Sequence, residues 1–306
     1  MRIKFLLENQ TEESFYRLPG MDELLDDLKA RGIAWTKDAS NGSHEEAYET
    51  DWKQNDLAVT DSQETACRLA GRSVCCIGFQ PSHSSGYFEG VQLVLQSFEG
   101  LDADFFRSVL FRFQGRAVVI GRTPRLILRE STEEDFKIIY QISREEGNDR
   151  YVDGMTGDEA KEKEAYLAYV RKMYSFYGFG LWTVAQKVTG NVIGRCGLSL
   201  PSEECDCLRA AFEKNQRSPG TEEPCLELGY LIGKKYQRQG YGLEAGREAL
   251  RYAFDRLGCQ SVYAVIHNDN RPSAGLARKL GFSRLGEGEE KGNRLDLWRM
   301  RPHKKI

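Results

Sequence analysis

Long apolar runs and a strong excess of charge of one sign are both missing from this 306-residue sequence. No apolar run approaches the length that a membrane-spanning helix needs. The apolar stretch at the N-terminus is too short for a signal peptide and soon meets Glu8. The net charge of -3 gives no reason to expect nucleic acid or an anionic membrane as a partner. We therefore expect a soluble cytoplasmic protein with neither kind of partner.

Cysteine pairs at the spacing of zinc or dithiol motifs are also missing. The eight cysteines form no C-x-x-C pair, so the usual zinc and dithiol spacings do not occur. The one cluster is Cys205–Cys207, with Cys225 further on. A soft-metal site is one interpretation of this cluster, but reduced cysteines in a loop are the expected state in a cytosolic chain. We predict no metal site.

The composition is that of an ordinary globular protein, 40% hydrophobic and 29% charged, without internal repeats or low-complexity segments. This length predicts a sizeable core and two domains. We place the boundary near Gly121, giving a small α/β domain at residues 1–121 and a second domain at 122–306. Ala117–Ile120 is either the last strand of the first domain or a structured linker.

The first domain alternates strands and helices. Predicted strands are Leu57–Thr60, Val74–Phe79 and Val91–Leu95, and predicted helices are Met21–Arg31, Gln63–Ala70 and Ala103–Phe113. Such alternation is typical of a small open parallel sheet covered by helices. The sequence does not say whether this domain is a scaffold, an interaction module or something else.

The stretch Leu57–Ser62, followed by a helix and Gly71, resembles the later half of a haloacid-dehalogenase-type Rossmannoid domain, over residues 57–101. The resemblance implies that Asp61 helps to hold magnesium. However, the Asp-x-Asp nucleophile motif of that family is absent, so we do not expect phosphatase chemistry. We expect Asp61 to be a helix cap.

The second domain begins with a strand at Arg125–Arg129 and continues with two helices, Asp135–Glu145 and 158–177. Tyr166 and Tyr169 belong to an aromatic stripe on the longer helix. The stripe either packs into the core or, at the end of the helix, lines a substrate cleft. Residues 201–224 form an acidic insertion, which either attracts a cationic amine or is a solvated loop. Further along the chain, Asn268–Ser273 is predicted to be a turn that leads into a helix, Ala274–Leu280.

Glu227–Gly246 reads as a strand, a glycine-rich turn and the start of a helix. A helix that begins directly after glycines offers free backbone N–H groups and a positive dipole end, and both favour phosphate. Gly240 and Gly242 have no Cβ atom, so an anion can approach the main chain closely. Arg238 adds a fixed positive charge.

Gln237–Gly242 matches the Gln/Arg-x-x-Gly-x-Gly/Ala signature of the GNAT family of N-acetyltransferases, which the chain resembles over residues 123–302. Glu227–Tyr230, Asn270–Ser273, Lys279–Phe282 and Thr123–Arg129 are similar to the RimJ/RimL-like branch, the ribosomal-protein-alanine acetyltransferases. The resemblance implies a mixed, mostly antiparallel sheet, splayed at the cofactor site and flanked by helices.

The resemblance also implies acetyl-CoA as co-substrate, without a metal, and acetyl transfer to a small-molecule or peptide amine. The implied cofactor-binding residues are Tyr230, Leu231, Ile232, Gly233, Gln237, Arg238, Gln239, Gly240, Tyr241, Gly242, Asn270 and Ser273.

Direct transfer needs a base for the amine and an acid for the thiolate. Glu227 is the first candidate base, with the ordering of neighbouring strands as its alternative role. His267 is the second, with structural packing as its alternative. Ala277 occupies the place of a tyrosine acid found in many family members, so Ser273 is the candidate acid. The missing tyrosine leaves a second function open, a non-catalytic acyl-CoA sensor or interaction protein. The acceptor and the oligomeric state cannot be predicted.

Overall fold

The computed structural model describes residues 1–37, 52–81, 87–151, 157–201, 226–290 and 292–302. The acidic insertion and the cluster Cys205–Cys207 lie outside these residues, as does Cys225. The chain divides into two compact units, Met1–Arg116 and Ala117–Ile306. In the described part of the chain, no helix has both the length and the apolar character needed to cross a membrane. The cysteines of these residues are free thiols.

The first unit is a sheet of parallel strands in the order β2-β1-β3-β4-β5. Its strands are β1 (Arg2–Leu6), β2 (Ala34–Lys37), β3 (Asp56–Thr60), β4 (Cys75–Phe79) and β5 (Val94–Leu95). Its helices are α1 (Glu12–Tyr16), α2 (Met21–Ala30), α3 (Gln63–Gly71) and α4 (Ala103–Phe113). The predicted small open α/β layer is confirmed. β1 escaped prediction because charged Arg2 and Lys4 interrupt its apolar run, although Lys4 is buried.

Asp61 does not cap a helix, which corrects the prediction. The N-cap of α3 is Ser62, whose side chain accepts a hydrogen bond from the backbone N–H of Thr65. Asp61 instead accepts from the backbone N–H groups of Glu8 (2.7 Å) and Asn9 (3.0 Å), directly after β1. Burial raises the pKa of Asp61, against the effect of these hydrogen bonds. Its carboxylate therefore joins the carboxyl ends of β3 and β1.

The second unit is an eight-stranded sheet in the order β12-β13-β11-β10-β9-β8-β7-β6. Its strands are β6 (Val119–Arg122), β7 (Leu126–Arg129), β8 (Leu181–Gln186), β9 (Val192–Ser199), β10 (Leu226–Ile232), β11 (Val262–His267), β12 (Ser283–Glu290) and β13 (Asn293–Met300). Its helices are α5 (Phe136–Ser143), α6 (Glu159–Tyr177), α7 (Tyr241–Asp255) and α8 (Arg271–Leu280). Neighbouring strands are antiparallel except β10 and β11, which confirms the mixed, mostly antiparallel sheet.

Two details of the second unit differ from prediction. β6 pairs with β7, so Ala117–Ile120 leads into the second sheet and does not end the first. α8 begins at Arg271, where we had expected a turn as far as Ser273, because Asn270 is its N-cap and Pro272 suits a first helical turn.

The core of the second unit lies between the sheet and the helices α7 and α8. Alternate residues of the central strands, including Trp182, Cys196 and Leu228, pack in one buried cluster with Ala245 and Ala249 of α7. This packing fixes α7 against the strands, and so fixes the turn that precedes it. The start of α7, which belongs to the predicted cofactor site, is thereby held against the sheet.

Candidate active site

The glycine-rich turn connects β10 to α7. Arg238 (φ 61°) and Gly240 (φ 83°) both adopt the left-handed backbone conformation, which a non-glycine residue rarely does. Gly240 is the N-cap of α7 and makes no side-chain capping hydrogen bond. The first N–H groups of the helix are therefore left to an external acceptor. Left-handed residues in such a turn also aim successive N–H groups at one concave point, which suits an anion.

Arg125, which directly precedes β7, stabilises this turn. Its guanidinium donates to the carbonyl oxygen of Gln239 (3.0 Å) and to the carboxylate of Glu244 (2.7 Å). It also lies 4.4 Å from the ring centroid of Tyr241. Burial opposes ionisation of Glu244, but hydrogen bonds from Thr123 and Arg125 hold its pKa below the usual value. Arg125 thus brings a second cation to the turn, a role that we did not predict.

Gln237 ties the turn to the end of β10. Its side-chain amide donates to the carbonyl of Ile232 (2.9 Å) and to the side-chain oxygen of Asn148 (3.2 Å). Asn148 is buried and donates in turn to the carbonyls of Ile142 (3.0 Å) and Ile232 (3.3 Å). The side chain of Gln237 therefore supports the turn from behind, and its backbone N–H donates to the carbonyl of Lys234 (3.3 Å). No sequence pattern identified Asn148 as part of this support.

The strands β10 and β11 separate beside this turn. Among the described residues, they pair only at Leu226–Val262 and Glu227–Tyr263, although both strands continue for several residues. The N–H of Gly233 donates to Ile193 of β9 (2.9 Å). Because successive N–H groups of a strand point to opposite sides, those of Tyr230 and Ile232 face the gap. The gap thus presents a strand edge to which an extended ligand can add.

Glu227 lies where the two strands part. Its carboxylate accepts a hydrogen bond from the backbone N–H of Val265 (3.4 Å), so it bridges β10 to β11 just beyond their last pair. Burial raises the pKa of Glu227 to about 7, with a smaller contribution from the charge of Glu290. Glu227 therefore has the strand-ordering contact that we considered for it. It also has the proton affinity of a general base at neutral pH.

Tyr230 and Ser273 meet across the gap. The hydroxyl of Tyr230 donates to the backbone carbonyl of Ser273 (3.3 Å), in the first turn of α8. Burial raises the pKa of Tyr230 to about 12. The side-chain oxygen of Asn270 accepts from the N–H of Ser273 (3.1 Å), so this oxygen is engaged in capping. Ala277 is buried one turn later.

The other predicted residues are distributed around the same gap. Leu231 shares a sheet face with Glu227. A Cβ atom on Gly233 would come within 3.3 Å of Ile142, which accounts for the glycine. His267 ends β11 and packs against the ring of Tyr151, at 5.4 Å between centroids. The described residues include no group of three or more His, Cys, Asp or Glu side chains that could hold a metal ion.

A family model describing an acetyltransferase (GNAT) domain matches residues 125–283, just over half of the chain. The chain belongs to the GNAT acetyltransferase family. The family resemblance expected from the sequence is thereby confirmed, and the chain is an N-acetyltransferase by class. Acetyl-CoA is the general co-substrate of GNAT enzymes.

Individual relatives of this GNAT chain are distant. It is 25% identical over 167 residues to the uncharacterized N-acetyltransferase YoaA of Bacillus subtilis, covering 55% of this chain and 84% of YoaA. It is 33% identical over 61 residues to the spermidine N(1)-acetyltransferase of Escherichia coli, covering 20% of this chain and 33% of that enzyme. A solved GNAT acetyltransferase from Bacillus anthracis is 16% identical, with a TM-score of 0.46, covering 59% of this chain and 96% of that one.

Proposed function

We propose that residues 122–306 transfer the acetyl group of acetyl-CoA directly to a primary amine. The acceptor is a small amine, an aminoacyl compound or a protein N-terminus, as in the RimJ/RimL-like branch. The branch assignment draws support from Thr123 and Arg125 of its first-strand motif, since both bind Glu244 at the start of α7. Residues 1–121 form a separate small α/β domain in this proposal, and the residues to which we assign the chemistry all lie within 122–306.

One observation carries the proposal, the junction of an open strand edge with a glycine-rich turn. The gap between β10 and β11 suits the extended pantetheine arm, whose amides can pair with the backbone of Tyr230 and Ile232. The turn Gln237–Gly242 suits the pyrophosphate, because its N–H groups lack a side-chain cap and Arg125 and Arg238 bring positive charge. The residues present therefore fit acetyl-CoA.

Acetyl-CoA supplies an acetyl group activated as a thioester. The residues of the chain have three tasks around it. Glu227 takes the proton of the amine, directly or through a water. Backbone N–H groups of the β10 edge stabilise the negative charge that develops on the thioester carbonyl oxygen during transfer. A hydroxyl on the α8 side returns a proton to the leaving sulfur, and we assign this to Ser273, with the hydroxyl of Tyr230 close to its carbonyl.

Free-thiol release from acetyl-CoA, measured over a panel of primary amines, tests the activity. We expect thiol release that depends on both protein and amine, with an acetylated amine detected by mass spectrometry in equal amount. Glu227→Gln is the negative control. It removes the proposed base but keeps a side-chain oxygen that can accept from the N–H of Val265, so the contact between the strands is retained. If acetyl-CoA binds and no amine is acetylated, the proposed catalytic function is wrong.

A further inference from the structure

A strip of partly exposed residues runs across the middle of the second sheet. It comprises Leu181 of β8, Arg195 of β9, and Glu227, Gly229 and Leu231 of β10. Strand pairing joins Leu181 to Gly197, Arg195 to Leu231 and Gly229 to Gly197, so these side chains share one face. Central strands are normally covered on both faces when helices pack on both. Each of these residues nevertheless keeps part of its surface exposed in the described part of the chain, and we call the set the acceptor strip.

Arg195 is the cation of the acceptor strip. Its guanidinium lies 5.1 Å from the ring centroid of Tyr169 and 5.6 Å from that of Tyr166, both on α6. One terminal nitrogen donates to the carbonyl of Leu181 (3.2 Å). The Nε atom is enclosed and finds no hydrogen-bond partner within the described part of the chain. An enclosed donor on a charged group costs free energy unless an acceptor arrives, so this atom points to a ligand.

The spacing between Arg195 and Glu227 sets the length of that ligand. Arg195 pairs with Leu231, and the four residues from Leu231 to Glu227 span roughly 14 Å. The guanidinium of Arg195 contacts the carbonyl of Leu181, and the strand partner of Leu181 is Gly197, two residues beyond Arg195 on β9. The guanidinium is therefore displaced toward Glu227 by two residues, roughly 7 Å. An acceptor that uses both groups therefore separates them by several bonds. The stretch between them is apolar or without a side chain, at Leu181 and Gly229.

We infer that Arg195 recognises the acceptor, and that the acceptor is an amine carrying a carboxylate several bonds away, as in a short peptide or a long amino acid. A guanidinium matches a carboxylate in geometry and charge. The same positive charge disfavours a polyamine lying along the strip. The inference rests on the proposed function, because it takes Glu227 as the place of the reacting amine.

The test compares tri-alanine, its C-terminal amide and spermidine as acceptors with the full chain and saturating acetyl-CoA. We expect kcat/KM for the free acid to exceed that for the amide by roughly 10- to 100-fold, with spermidine below both. Arg195→Met should abolish the preference for the acid by lowering kcat/KM for the free acid to the level of the amide. Arg195→Lys keeps the charge but not the planar fork, so it should retain part of the preference.

Calorimetric titration with acetyl-CoA accompanies each variant as the measure of an intact fold. Equal use of acid and amide by the wild type overturns the inference, as does a preference for spermidine or inertness toward all three with acetyl-CoA bound. An equal loss for all acceptors in both Arg195 variants also overturns it, because that outcome marks a purely structural arginine. Failure of the wild type to bind acetyl-CoA overturns the proposed function, and this inference with it.

Discussion

Glu227→Gln separates the two roles of Glu227 by their dependence on pH. The substitution keeps an oxygen that can accept from the N–H of Val265, and removes the titration. Moving the pKa of a carboxyl group from 4.5 to about 7 corresponds to about 3 kcal/mol of folding free energy. Because the folded pKa is the higher one, the folded protein holds the proton more tightly. The contribution of Glu227 to wild-type stability is therefore complete below pH 4.5 and is lost as the pH rises through about 7.

The variant should equal the wild type in stability near pH 4.5 and exceed it by up to about 3 kcal/mol above pH 7.5. Urea unfolding of both proteins across this range measures the difference, in which every group other than Glu227 cancels. The acetyl-transfer rate should change in the opposite sense. We expect kcat/KM of the wild type to rise with pH through an apparent pKa of about 7, and the variant to lose roughly 100-fold or more of the rate above it.

Glu290→Gln is the matched control. It removes the neighbouring charge that helps to raise the pKa of Glu227, so it should move the apparent pKa downward and keep the maximal rate. A Glu227→Gln variant with a wild-type rate and pH profile would refute the reasoning on catalysis and leave only the strand-ordering contact. A variant with no gain in stability at alkaline pH would refute the raised pKa.

The remaining predictions concern the turn and the first unit. Gly240→Asp should weaken acetyl-CoA binding at least 100-fold, through backbone strain and charge repulsion, whereas Gly258→Asp, equally strained at the other end of α7 (φ 67°) but with open space around it, should bind normally in calorimetry. Arg125→Met should raise the Kd for acetyl-CoA roughly 10-fold by freeing the Gln239 carbonyl and removing a charge. Arg247→Met, at an exposed position on α7, is the control. Asp61→Asn should lower the stability of the first unit and leave acetyl transfer unchanged; magnesium-dependent phosphoester hydrolysis that this variant abolishes would show that our dismissal of phosphatase chemistry is wrong.

Local patterns in the sequence predicted the turn and its flanking elements, because strand alternation, glycine position and helix capping are properties of neighbouring residues. The strand β10, the start of α7 and the small parallel sheet follow from such patterns. The start of α8 was placed too late, since Asn270 and Pro272 read equally well as a turn and as a helix cap. β1 was missed because burial of Lys4 is decided by the rest of the sheet.

Contacts between distant parts of the chain could not be predicted in this way. Arg125 and Glu244 are 119 residues apart, and Asn148 and Ile232 are 84 apart, yet both pairs support the same turn. The sequence marks Arg125 as part of a strand and gives no sign of its partner. Asn148 lies in a polar stretch, and nothing in the local sequence distinguishes it from other asparagines in loops. The raised pKa of Glu227 likewise depends on burial between strands that pair only in the folded sheet.

Calorimetric titration of the full chain with acetyl-CoA tests the central claim most directly. In the proposed function, the gap between β10 and β11 and the turn at Gln237–Gly242 together hold one acetyl-CoA molecule. We therefore expect one molecule to bind per chain with a Kd in the micromolar range, roughly -8 kcal/mol. An absence of binding by the wild type at millimolar acetyl-CoA would contradict the account.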